Sequence, residues 1–287
     1  MKTSLLIAIG FIVFLQSCTQ ANSQNNQAQV QPIVNSYVSI DTSGQTIETR
    51  FNTPKNFSRV EVETNSYANY LRTLPLKPHG SLVTLYNGWT KDNNNVYEAV
   101  VDMSIGKRDL HQCADAIMRL KAEYLWNNKQ YDQIHFNFTN GFRVDYTMWM
   151  KGNRIVVNDN KTYWKQSAKP SKTYKSFWKY MEIIFSYAGT LSLSRELNSI
   201  QVKDMQIGDV FIYGGSPGHA VVVVDMAIDK STNKKVFMLA QSYMPAQDLQ
   251  ILQNPNNPNN SPWYNLDFTG DLNTPEWTFN QDELMRF

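Results

Sequence analysis

The stretch HAVVVVDM, residues 219–226, followed by KVFMLAQSY, residues 235–243, constrains the fold more than any other part of the chain. A short continuous apolar run bounded by turn-forming residues reads as a strand buried on both faces. The polar loop AIDKSTNK between the two runs predicts an antiparallel hairpin centred near Ser231 and Thr232. DVFIYG, residues 209–214, adds a third strand just before it. A polar residue at the head of a buried strand needs a reason, and here that residue is His219.

Upstream the pattern turns helical. SYANYLRTL (66–74) places Tyr67, Tyr70, Leu71 and Leu74 on one face, with Ser66 as N-cap. TYKSFWKYMEIIFSYAG (173–189) reads as a longer helix ending at Gly189. Residues 81–105 read as two strands joined by a polar loop, IHFNFT (134–139) as a strand, and 142–150 as its partner. Helices followed by an antiparallel set of strands predict an α+β domain. The chain has 287 residues, 42% of them hydrophobic and 18% charged, which suits one globular domain over residues 37–287. The net charge of +2 is too balanced for a protein that binds nucleic acid by neutralising phosphates.

The N-terminus reads as a targeting segment. Lys2 and the apolar residues 5–15, LLIAIGFIVFL, form a secretion signal too short to cross a bilayer. LQSC, residues 15–18, resembles the bacterial lipobox. That resemblance implies a signal peptide over residues 1–17 and lipidation of Cys18, which would hold the protein on a membrane of the cell envelope. Residues 18–36, rich in Gln, Asn, Ser and Ala, read as a flexible tether.

With Cys18 consumed, Cys113 is the one remaining cysteine and has no disulfide partner. It lies in DLHQCADAIMRLKAEYLW (109–126). Asp109 reads there as N-cap, with Gln112 completing a capping box, and Cys113, Ile117, Leu120 and Tyr124 share the apolar stripe. A thiol near the positive end of a helix, close to an imidazolium, is expected to have a depressed pKa. From this helix alone, Cys113 reads more readily as a small buried hydrophobe.

A helix-borne cysteine, then a strand opening with histidine, then a neighbouring strand is the order of papain-like cysteine hydrolases. GDVFIYGGSPGHAVVVV resembles the segment around the base of NlpC-type cell-wall peptidases and amidases. The chain after the tether also resembles a family of bacterial lipoproteins of unknown function, through RDLHQCADAIMRLKAEYLW, YAGTLSL, GDVFIYGGSPGHAVVVVD, LAQSYMPAQ and PWY. The NlpC likeness implies a papain-like domain whose cysteine helix packs on an antiparallel sheet, with Cys113 as nucleophile and His219 as base. Gln112 and Ala114 flank the cysteine where NlpC-type enzymes have Gly or Ser. The hairpin count makes Gln241 the candidate that orients the imidazole, with Tyr243 and Asp225 as weaker ones.

Two other motifs lead elsewhere. GGSPG (214–218) matches the nucleophile elbow of serine hydrolases, but Pro217 removes the N–H that its oxyanion hole requires, so the segment reads as a turn. His79, His111, His135 and His219 show no metal-ligand spacing, and nothing calls for a cofactor. Trp89, Trp263, Tyr264 and Trp277 are candidates to stack on sugar rings or to fill the core. The expected function is therefore a cysteine amidase or peptidase acting on cell-envelope peptide, peptidoglycan included. The alternatives are a non-catalytic module binding peptide or glycan in the same cleft, and a structural partner of an envelope complex. The oligomeric state, and which side of the membrane the domain faces, stay open.

Overall fold

The computed structural model describes residues 38–287 apart from Asn160. The signal peptide, Cys18 and the tether lie outside the described residues. The fold is α+β, built on a nine-stranded antiparallel sheet. Its main path runs Tyr97–Val100, Gln250–Leu252, Lys234–Gln241, His219–Asp229, Val210–Tyr213, Leu284–Arg286, Asn198–Ser199. Ser58–Arg59 pairs with the far end of His219–Asp229, and Tyr264–Asn265 with the start of Lys234–Gln241.

The valine run is continuous because its strand is covered on both faces. Ala220, Val222 and Val224 point into one core with Ala114, Ile117 and Leu120 of the helix Cys113–Asn127 and with Phe177, Tyr180 and Ile184 of the helix Tyr174–Tyr187. Val221 and Val223 point into a second core with Phe211, Phe237, Leu239 and Phe279. The hairpin register includes Val236↔Ala227 and Ala240↔Val222, with a bulge between Met238 and Leu239. Its loop is tied down by Asp229, whose carboxylate accepts from Ser231 and Thr232.

Two expectations fail locally. Only Arg143–Asp145 of residues 142–150 is strand; Tyr146–Met150 is helix. Tyr146 and Trp149, three apart, are both buried, the spacing of a helical face, and Tyr146 packs against Phe177 and Tyr180. Of the two strands expected in 81–105, only Tyr97–Val100 forms. The first half is an irregular segment that turns at Gly88 (φ +88°) and hangs on single backbone bonds such as Tyr86 N–H to Ala246 C=O at 2.8 Å.

Candidate functional site

The helix carrying Cys113 starts later than its sequence suggests. Asp109 is not its N-cap. Its carboxylate instead accepts from the Ala246 backbone N–H at 2.7 Å and the Gln112 side chain at 3.1 Å. Gln112 takes the cap position, its own N–H donating to the Asp115 carboxylate at 3.1 Å. Cys113 is thereby the first helical residue, and its backbone N–H is among those with no partner inside the helix.

The Cys113 sulfur faces the backbone N–H groups of Ala114 and of Ala220, the residue after His219. These donors favour a thiolate, but burial outweighs them, and the Asp115 carboxylate opposes them too. Together burial and Asp115 push the thiol up to about 11. The expected depression of the thiol pKa is therefore overturned: loss of solvent exceeds the helix-terminus effect, which is worth at most about 2 kcal/mol.

His219 opens the strand His219–Asp229 and is buried. Its Nε2 lies 2.8 Å from Gln241 Oε1, and Gln241 Nε2 donates to Glu276 at 2.6 Å. Glu276 in turn pairs with Lys91 at 2.7 Å. Glu276 as a carboxylate only accepts, so it takes the amide N–H of Gln241 and turns Oε1 to the imidazole. His219 Nε2 must then carry the proton. The lone pair is left on Nδ1, which is buried and has no hydrogen-bond partner among the described residues. The ring is boxed in by Tyr243 (ring centroids 5.0 Å apart), Trp277 (5.4 Å) and Phe279 (5.9 Å). Burial, helped by the Lys91 charge, lowers the imidazole to about 4. Thiol and imidazole are thus both neutral near pH 7.

His219 and Gln241 share a sheet face, but along the strand it is not the face that bears the cysteine helix. By alternation His219 goes with Val221 and Val223, in the core containing Phe279. The Cys113 sulfur instead meets the backbone N–H of Ala220, the residue after His219, and the thiol and imidazole share no hydrogen bond. Beside them opens a cleft of about 440 Å³. Its walls are the start of the cysteine helix, the turn 215–218 and the start of the helix Thr190–Glu196. The turn is fastened where Thr190 Oγ1 donates to Gly215 C=O at 3.2 Å. A side chain at Gly218 would collide with Thr190 Oγ1 and with the Gly215 and Tyr213 carbonyls, so glycine is required just before His219.

The remaining candidates fall elsewhere. Asp225 sits between Arg59 (2.7 Å) and Arg72 (2.6 Å), so it is engaged in an ion cluster rather than orienting His219. Tyr243 packs its ring against the imidazole. Ser216 lines the cleft within a turn, as the proline after it implied. His111 is buried against Phe185, His79 is exposed, and His135 bonds through Nδ1 to its neighbour's carbonyl, Gln133 O. Trp263 and Tyr264 are core, Trp277 covers His219, and Trp89 is 74% exposed. Among the described residues no three His, Cys, Asp or Glu side chains are grouped so as to hold a metal ion. Glu276 and Lys91 were not anticipated. One half-buried carboxylate and one buried lysine far apart in sequence carry no local spacing signal. Only a lone acid among aromatics, in PEWTF, hinted at Glu276.

No curated protein and no solved structure matches the chain. One family model does, over residues 47–286, a span that takes in the cysteine helix, the turn, the hairpin and Glu276, and the chain accordingly belongs to the family described as Domain of unknown function (4846).

Proposed function

We propose that the chain is a cysteine hydrolase of papain-like arrangement, an amidase or peptidase acting on cell-envelope peptide. One observation carries this reading: the Glu276–Gln241–His219 relay fixes the imidazole with its lone pair on a buried, unpartnered Nδ1, beside a helix that begins at a cysteine. A structural histidine needs no such orientation, whereas a base does.

In this reading the Cys113 sulfur attacks the acyl carbon as its proton passes to His219 Nδ1. Because both groups rest neutral, transfer and attack occur together. The Cys113 N–H faces the developing oxyanion. His219 returns the proton to the leaving amine, and water activated by the same Nδ1 then cleaves the thioester. The imidazolium formed on the way is stabilised through Gln241 by the Glu276 carboxylate.

The test is digestion of purified peptidoglycan and its stem peptides, with products read by mass spectrometry. The folded wild-type protein should release fragments with a new free carboxyl group. Cys113→Ala should abolish release, and His219→Ala should lower it by about 10²–10⁴-fold, the usual worth of a general base. No release from any of these substrates would leave the second reading, a module that binds peptide or glycan in the same cleft. The raised Cys113 thiol favours that alternative, since a binder has no need of a thiolate.

We also propose that the protein is held in the cell envelope through a lipidated Cys18, as LQSC after the apolar segment suggests. Cys18→Ala should move it from the membrane fraction to a soluble exported one. A variant that stays acylated and membrane-bound overturns this.

A further inference from the structure

Asp115 is a buried acid, 7% exposed, in the third position of the cysteine helix, two residues from the proposed nucleophile. One carboxyl oxygen, Oδ2, accepts from the Gln112 N–H, while the other, Oδ1, is buried with no hydrogen-bond partner among the described residues. The residue lines the cleft. The second acid in the cleft wall is Asp109, and no Lys, Arg or His accompanies them there. Asp109 already uses Oδ1 on two donors. Asp115 thus brings to the cleft wall one buried carboxyl oxygen without a partner, and no cationic group lines the cleft beside it. An unpaired buried acid costs stability unless a partner arrives, so its retention here is explained if the partner is the ligand.

We infer that Asp115 is a specificity residue, which pairs with a primary ammonium group of the substrate lying close to the acyl carbon that Cys113 attacks. This rests on the reading of the cleft as a substrate site. A cation is the favoured occupant for a second reason. Burial holds the empty carboxyl well above the usual carboxylate range, so in the free protein the acid keeps its proton more readily than a solvated one. An ammonium group would stabilise the ionised carboxylate. Substrates with that amine acylated would lose this stabilisation.

The experiment uses Cys113→Ala, so that binding is read without turnover and independently of catalysis. The probes are alanyl-alaninamide with a free amino terminus and its N-acetyl form, titrated by NMR. The free-amine peptide should bind at least about 10-fold more tightly. Adding Asp115→Asn, which preserves shape and the acceptor for Gln112, should abolish the difference, and Asp115→Glu should restore part of it. Equal binding of both peptides, a preference that survives Asp115→Asn, or binding of neither overturns the inference. Fragment release by wild-type protein from substrates with blocked amines, at rates equal to free ones, also overturns it while leaving the hydrolase reading intact. Peptide binding with the amine preference, but no fragment release by wild type, supports the recognition site and removes the hydrolase.

Discussion

An amide held between an imidazole and a carboxylate has one orientation that satisfies both neighbours, and Gln241 is held in that way at 2.8 and 2.6 Å. The tautomer of His219 is therefore set two bonds away, at Glu276. Glu276→Gln gives Gln241 a neighbour that can either donate or accept, so the amide is free to turn. Nitrogen NMR of labelled histidine should show wild-type His219 with its proton on Nε2 and the variant as a mixture of tautomers. An unchanged spectrum would mean that Glu276 does not set the tautomer. Gln241→Ala leaves buried groups unpaired on both sides and should cost about 1–3 kcal/mol in chemical denaturation.

At the scale of elements, two short pieces are tied to the central strand by charge. Arg59 follows Ser58 on a two-residue strand, and Arg72 ends the helix Tyr67–Arg72. Both reach Asp225, which is fully buried. Asp225→Ala leaves two guanidinium groups facing the interior without a counter-charge. It should cost about 3–5 kcal/mol, the usual penalty for breaking a buried pair, and lower the melting temperature by about 10 °C or more in calorimetry. Asp267→Ala is the contrast: its 3.9 Å pair with Lys234 is exposed on both sides, so the change should fall within about 1 kcal/mol. Equal losses in the two variants would show that Asp225 does not anchor these elements. The hairpin was legible in the sequence because its valine run and polar loop are local signals. The helix start was not. DLHQC has the spacing of a capping box, but Asp109 is drawn off by the Ala246 N–H, 137 residues away in sequence. Tyr146–Met150 was missed for a like reason, since its helical face is defined by Phe177 and Tyr180 rather than by its own short sequence.

Across the whole molecule, burial governs the titrating groups of the site more than their mutual attraction does. Residue types and order brought Cys113, His219 and Gln241 forward from the sequence, whereas the depth of His219 depends on the second core closing over it through Trp277 and Phe279 near the far end of the chain. That depth makes stability depend on pH in a defined direction. His219 and His111 are lowered by burial to about 4 and about 3 from an ordinary 6.5. Unfolding lets both take up protons that the native state refuses, so their contribution is complete above pH 6.5 and is lost as pH falls from there through 4 and 3. Cys113, raised to about 11 from 9.0, acts in reverse: its contribution is present below pH 9 and is lost as pH rises towards 11. Asp115 and Glu196, raised by burial, partly offset the acid loss, because the folded state holds their protons where the unfolded chain has released them. Differences between variants therefore read more cleanly than the wild-type curve. Unfolding free energies measured by denaturant between pH 4 and 7 should fall less steeply for His219→Gln than for wild type. The two should diverge by roughly 3 kcal/mol over that range, since each tenfold change in proton affinity is worth about 1.4 kcal/mol. Cys113→Ala should flatten only the alkaline limb, between pH 9 and 11. Parallel acid limbs for wild type and His219→Gln would show that His219 is solvated in the folded protein, and the closed, neutral pair on which the proposed mechanism is built would go with it.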